Sequence, residues 1–226
     1  MDTRLAYCAV AVTTKRIPDS RHSETEVNLM AHAFFGGVHP KDMKAMSCDK
    51  AIQVFPAPKQ VVIPMSQHIG APAKPLVAKG DHVLKGQIIA EAGGFISANV
   101  LSSVSGTVKG IESKLVANGA MVQSILVEND GEEEAIEGFG TDRDATKLSK
   151  EEIRKIVKDA GIVGMGGAGF PTHVKLTPKD ENAIDYVIVN GAECEPYLTS
   201  DYRTMMERPE QIIGGLKVML QLFDNA

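Results

Sequence analysis

Between Phe35 and Val127 the apolar positions come in short runs separated by glycine and proline. Gln60-Val61-Val62-Ile63-Pro64 and Gln87-Ile88-Ile89-Ala90 are the clearest. Short β-branched runs at regular spacing, with turn signals between them, predict a small all-β barrel or sandwich. Gly80-Asp81, Gly93-Gly94, Ser105-Gly106 and Asn118-Gly119 mark the turns, at backbone angles that glycine tolerates. Downstream of residue 148 the period changes. Ser149-Lys150-Glu151-Glu152 has the form of a capping box. Ile153, Ile156, Val157 and Ala160 then follow at the spacing of one helical face, and Gly161 is placed to stop the helix. Asp185-Tyr186-Val187-Ile188-Val189-Asn190 reads as a buried strand, and Ile212, Ile213, Leu216, Met219 and Leu220 as one side of a later helix. About one strand and two or three helices are too few for a complete doubly wound sheet, so this second domain is expected to be incomplete.

The two ends of the first segment are polar. Residues 14–29 lack periodicity, and residues 1–29 are expected to be a disordered leader, with a true start possible at Met30. Residues 130–146 carry six carboxylates among their first thirteen positions: Asp130, Glu132, Glu133, Glu134, Glu137 and Asp142. A solvated linker is the expected role, and the ligand spacing of a calcium loop is missing. The domain plan is therefore a leader (1–29), an all-β domain (30–129), an acidic linker (130–148) and a partial α/β domain (149–226).

Composition narrows the function. The chain has 226 residues, a net charge of −5, no Trp and only four Tyr. Neither a basic face nor base-stacking aromatics recommend nucleic acid as a partner. No apolar run reaches the roughly 20 residues of a membrane span. Cys8, Cys48 and Cys194 are far apart, and no C-x-x-C exists, so neither a zinc site nor an iron–sulfur site can be written on them.

Two motifs carry candidate chemistry. Gly164-Met165-Gly166-Gly167-Ala168-Gly169-Phe170-Pro171 fits a dinucleotide fingerprint by letter. Helix and loop precede it rather than a strand, so the ordinary Rossmann context is absent. The glycines still let main-chain N–H groups converge on an anion, a helix beginning near Pro171 would add its dipole, and Lys175 could neutralise a phosphate. A plain flexible turn is the competing reading. The second motif, Asn190-Gly191-Ala192-Glu193-Cys194-Glu195-Pro196, lies beyond a strand's carboxyl end, where α/β sheets bind ligands. Its acceptors suit ribose hydroxyls, a carboxamide or flavin N–H groups; a polar turn is the alternative. The flanking carboxylates disfavour a reactive Cys194 thiolate.

The spacing Gly80-Asp81-x-Val83-x-x-Gly86-Gln87-x-Ile89-x-Glu91, followed by Ser105-Gly106-Thr107-Val108, resembles biotinyl and lipoyl domains. Where such a carrier would hold its modified lysine this chain has Gly94, so a structural barrel-sandwich hybrid is expected, without a swinging arm. GMGGAGFPTHVK together with NGAECEPYLTSDYRTM resembles the NADH- and FMN-binding flavoprotein subunit of respiratory complex I. With the GGVHP opening (Gly36 to Pro40), the chain is more similar still to the C subunit of the Rnf ion-translocating ferredoxin:NAD oxidoreductase family.

The resemblance implies a multidomain chain: a barrel-sandwich hybrid followed by an incomplete complex-I-like α/β domain that binds FMN and NAD(H). It implies that Gly164, Gly166, Gly167, Gly169 and Lys175 hold phosphates, that Phe170 packs on the nicotinamide side, that Asn190 and Glu193 bind FMN, and that Glu195 faces the nicotinamide carboxamide. It names no catalytic side chain and no metal ligand here. The family's 4Fe-4S ligands are absent from this chain. The implied partners are the other subunits of a membrane complex, NAD(H) and, indirectly, ferredoxin, at the cytoplasmic face and without a transmembrane segment. The chain alone is expected to turn NAD(H) over weakly or not at all. Met165 and Ala192 depart from the complex I pattern, which has Arg and Asp at those positions. A non-redox docking module and a soluble flavin-linked accessory protein are the alternative functions.

Overall fold

The computed structural model describes residues 9–13, 40–141, 143–165 and 167–226. Cys8, Met30, most of the GGVHP stretch, Asp142 and Gly166 lie outside them.

Seven strands build the first domain: β2 (Gln60–Pro64), β3 (Lys74–Pro75), β4 (His82–Val83), β5 (Ile88–Glu91), β6 (Val100–Leu101), β7 (Gly106–Leu115) and β8 (Met121–Asn129). They form a four-stranded sheet in the order β2-β8-β7-β4 and a three-stranded sheet in the order β3-β5-β6. Alternation decides which side chains are enclosed. Ile63, Val83, Val108, Ile125 and Val127 come from the first sheet, and Ile89, Ala90 and Val100 from the second; with Met65, Ala73 and Val104 they make one core. Two sheets closing on a shared core agree with the barrel-sandwich expectation. Three of the four turns have their glycine at positive φ: Gly80, Gly106 and Gly119. The exception is Gly93-Gly94, where space matters instead: a Cβ on Gly93 would stand 2.0 Å from the Pro72 carbonyl oxygen.

Residues 40–59 form no strand, contrary to the all-β reading of that stretch. A single 3-10 turn, Lys44–Met46, interrupts an irregular strap that leaves the barrel and lies against the second domain. The acidic stretch also departs from expectation, because its first ten residues are laid on the barrel. Lys85 pairs with Glu133, main-chain bonds tie Lys85 to Glu134 and Ile136, and Phe139 rests against Gly86. Asp130 accepts hydrogen bonds from the Ser105 hydroxyl at 2.6 Å and from the Glu132 N–H at 2.9 Å, and sits 3.0 Å from His82 Nε2. The Ser105 hydroxyl first, then the Glu132 amide and His82, hold its carboxyl at about 2, below the ordinary value of 3.8. A depressed folded value means that this stabilisation is complete above pH 3.8 and is lost as pH falls through about 2. Asp130→Asn should therefore lower the urea midpoint at neutral pH, and the gap from wild type should close on acidification towards about pH 2. A gap that persists unchanged at that acidity would contradict this.

The second domain contains α1 (Lys150–Asp159), α2 (Thr172–Lys175), β9 (Tyr186–Asn190), α3 (Ser200–Glu207) and α4 (Pro209–Leu220). The capping box forms as expected: Ser149 Oγ accepts from Glu152 N at 3.2 Å, and Glu152 Oε2 accepts from Ser149 N at 2.8 Å. Ile153, Leu176, Ile184, Leu222 and Phe223 are its buried core, with Val157, Val187, Val218 and Met219 packed around them. Ile213, expected on the inner side of α4, is 53% exposed. Within the segment expected to be a disordered leader, Ala9–Thr13 form strand β1, antiparallel to β9. The alternating AVAVT run supplies the β-branched pattern for that pairing.

Candidate functional site

Gly161 has φ +62 and ends α1. The chain then loops out and returns. Gly164 N–H donates to the Phe170 carbonyl at 2.8 Å, Thr172 N–H donates to that of Ile162 at 2.9 Å, and Val163 bridges Pro171. The Gly-rich loop is thus closed at its neck rather than a slack turn. Lys175 folds back over it: a Cβ added to Gly164 would lie 2.9 Å from Lys175 Nζ. Among the described residues no carboxylate lies within ion-pair distance of Lys175, which is half-buried. Burial, with a smaller push from Lys158, lowers the His173 pKa, so at neutral pH Lys175 is the positive charge that α2 offers the loop. The helix after the loop is only four residues long and has Pro171 as its N-cap. The dipole expected from it is correspondingly small, and the lysine carries the positive charge.

The barrel props the far side of this loop. Ile69 N–H donates to the Ala168 carbonyl at 3.0 Å, and a Cβ on Gly169 (φ +63) would stand 3.1 Å from the Gln67 carbonyl oxygen. A Cβ on Gly161 would stand 2.3 Å from that of Asn99. His68 pins the propping segment: Ala98 N–H donates to its Nε2 at 3.1 Å, so Nδ1 carries the proton and donates to the Ile69 carbonyl at 3.0 Å. A cleft of about 150 Å³ between Gln67, His68, Asn99, Leu101, Gly161 and Val163 lies behind the loop. Flavin-sized sites need roughly 300 Å³ or more, so this cleft is a seam between domains.

The acidic motif follows β9. Asn190 Oδ1 accepts from Ala192 N–H at 3.0 Å, turning the chain. Glu193 Oε1 accepts from Asp201 and Tyr202 N–H at 2.9 and 3.0 Å, so Glu193 caps α3. Burial first, and the Glu193 carboxylate second, raise the Asp201 pKa. Glu195 is exposed, and so is Cys194. The structure therefore joins Gly164, Phe170 and Lys175 in one unit, and Asn190 and Glu193 in another. Both units flank the same core through Leu176 and Val187. Gly167 is exposed, with φ +85. Sequence reasoning missed the props on both loops, Gln67–Ile69 and Asp42–Ile52. Those contacts span up to 155 positions and carry no local signature.

Residues 32–132 match the RnfC barrel sandwich hybrid domain, and residues 157–226 match the Nuo51 FMN-binding domain. The fold and loops thus define a class: a barrel-sandwich hybrid joined in one chain to an FMN-binding domain of the Nuo51 kind. The chain is 46% identical over 195 residues to the C subunit of the proton-translocating ferredoxin:NAD(+) oxidoreductase complex of Clostridium ljungdahlii, covering 86% of this chain and 43% of that protein. It is 42% identical over 198 residues to the Na(+)-translocating counterpart of Acetobacterium woodii, covering 86% and 44%. It is also 42% identical over 193 residues to the C subunit of the ion-translocating oxidoreductase complex of Rhodobacter capsulatus, covering 84% and 37%. The chain belongs to this family of Rnf-type C subunits, and spans less than half the length of these three relatives. No described helix is long and apolar enough to cross a membrane.

Proposed function

We propose that this chain is the flavin- and dinucleotide-binding part of an electron-transfer subunit in a membrane-associated, ion-translocating ferredoxin:NAD oxidoreductase, working at the cytoplasmic face with the complex's other subunits. The observation that carries the proposal is Lys175: a half-buried ammonium without a carboxylate partner among the described residues, standing over Gly164 in a loop closed by hydrogen bonds. A cation over glycine-lined backbone is the donor set that a phosphate monoester requires. The residues present therefore fit FMN at its phosphate end.

FMN, when bound, would exchange a hydride with NAD(H) and pass single electrons to iron–sulfur clusters held outside this chain. The protein's own part is binding and orientation. Gly164 and Gly167 keep side chains away from the phosphate, Gly169 lets the loop sit close against the barrel, and Lys175 neutralises the anion. Phe170 offers a half-buried ring for packing on the nicotinamide side. Asn190 and Glu193 shape the opposite loop, Glu193 Oε2 having no hydrogen bond among the described residues, and the exposed Glu195 carboxylate can accept from the carboxamide.

Titration with FMN, read as quenching of flavin fluorescence, tests the reading. Saturable binding is expected, and its absence at millimolar flavin would sink it in favour of a docking module. Met165, 62% exposed in the loop, gives a gain-of-function check. Met165→Arg restores the cation that the complex I pattern has there and should tighten FMN binding several-fold at low salt. Equal or weaker affinity would count against phosphate at this loop. Glu193→Ala is a poor probe, because loss of the α3 cap would disturb the loop whatever binds there.

A further inference from the structure

The strap that leaves the barrel at Lys59 and runs back to Pro40 is bonded to the acidic loop and α3 at successive points between Asp42 and Ile52. Tyr197 N–H donates to the Asp42 carbonyl at 2.7 Å. Ser47 Oγ lies 2.9 Å from Thr199 Oγ1, and the Thr199 side is buried. Arg203 donates to the Cys48 carbonyl at 3.0 Å, and Ile52 N–H to Glu207 Oε1 at 2.9 Å. The Ile52 amide first, and Arg203 next, hold the Glu207 carboxyl below the usual range.

Lys44 is the hub. Its ammonium donates to the Leu198 carbonyl at 2.7 Å and to the Glu195 carbonyl at 3.3 Å. It has no carboxylate partner among the described residues; two of its three donors go to the main chain of one short loop. Three described residues other than glycine have positive φ, and two of them lie here: Met43 at 54° and Tyr197 at 70°. The left-handed region is unfavourable for such side chains and persists where surrounding contacts over-determine it. Lys44 and Asp42, on either side of Met43, supply those contacts for Tyr197.

We propose that Lys44 is a positioning residue: by drawing the Glu195 and Leu198 carbonyls together it sets the backbone of the acidic loop, and so the placement of Glu195 for the nicotinamide dinucleotide. This rests on the functional reading above. Lys44 does not touch the ligand in this scheme; it acts through main-chain carbonyls that a methionine of similar length cannot hold and that an arginine can.

The test uses the full chain with Lys44→Met and Lys44→Arg. Amide exchange of Tyr197 is compared with that of Val127 in the barrel core. NADH affinity and FMN affinity are measured in parallel by fluorescence. Lys44→Met should speed Tyr197 exchange about tenfold or more with Val127 unchanged, and weaken NADH binding severalfold more than FMN binding. Lys44→Arg should restore most of both. Unchanged Tyr197 exchange in Lys44→Met would overturn the proposal, as would a loosened loop with unaltered NADH affinity. If the wild-type chain binds neither NADH nor FMN, the functional reading and its ligand fall. A Lys44-dependent Tyr197 exchange would then keep only the structural hold.

Discussion

Phe223→Ala is expected to cost about 3–5 kcal/mol of stability in the second domain, the usual range for emptying a phenylalanine site in a core. Phe223 is 2% exposed and Leu222 0%. They close a cluster that otherwise consists of Ile153 from α1, Leu176 after α2 and Ile184 before β9. Val157, Val187, Val218 and Met219 already pack around this cluster, so filling the space would draw them out of contacts they make now. Phe223→Leu keeps most of the volume and should lose less than about 1.5 kcal/mol. The barrel core shares no residue with this cluster. Urea unfolding followed at barrel amides should therefore move little while the second domain's midpoint falls. A Phe223→Ala loss under about 1 kcal/mol would mean that this core is not what holds the domain together. The result also bears on function, because Leu176 directly follows Lys175 and Val187 lies three residues before Asn190. Loosening this core loosens the bases of both candidate loops.

Legibility in the sequence followed locality. The capping box, the stop at Gly161 and the strand at Tyr186–Asn190 depend on residues within a few positions of one another, and their patterns read directly. The paired β-sheets were readable because β-branched runs alternate between an enclosed and an open side. What did not read were the partnerships. The acidic stretch has the composition of a solvated linker, yet Lys85, His82 and Ser105 of the barrel wait for its carboxylates and amides. The strap from Pro40 to Ile52 has no periodicity, and its structure is decided by partners 150 to 155 positions away. At the candidate site, sequence marked the glycines and Lys175 as a phosphate cradle, and the structure places Gly164 and Lys175 together. For Glu193 it marked a ligand, and the structure adds a helix-capping role that residue type alone does not distinguish. For Gly169 the close backbone of Gln67 and His68 is a further reason for a small residue, and that reason is visible only in three dimensions.

Charge reversal at Lys175 is the sharpest test of the cradle. Lys175→Ala removes a hydrogen bond to a charged group, worth roughly 1.5–3 kcal/mol, and should weaken FMN binding about tenfold or more. Lys175→Glu adds repulsion between a carboxylate and the phosphate at short range, where an effective dielectric of about 20 applies, and the loss should reach at least about a hundredfold. Stability should hardly change in either variant, since the side chain has no ion-pair partner among the described residues to lose. Riboflavin, which lacks the phosphate, supplies the internal control: its affinity should be nearly the same in wild type and Lys175→Ala. Added salt should weaken FMN binding in wild type more than in Lys175→Ala, because screening acts on the pair that the variant has already lost. If Lys175→Glu binds FMN within twofold of wild type, the phosphate does not sit over Gly164. If riboflavin and FMN weaken equally in Lys175→Ala, the lysine shapes the loop without meeting a phosphate. Only a loss specific to the phosphorylated flavin assigns the ammonium to the anion, since disorder in the loop would penalise both ligands alike.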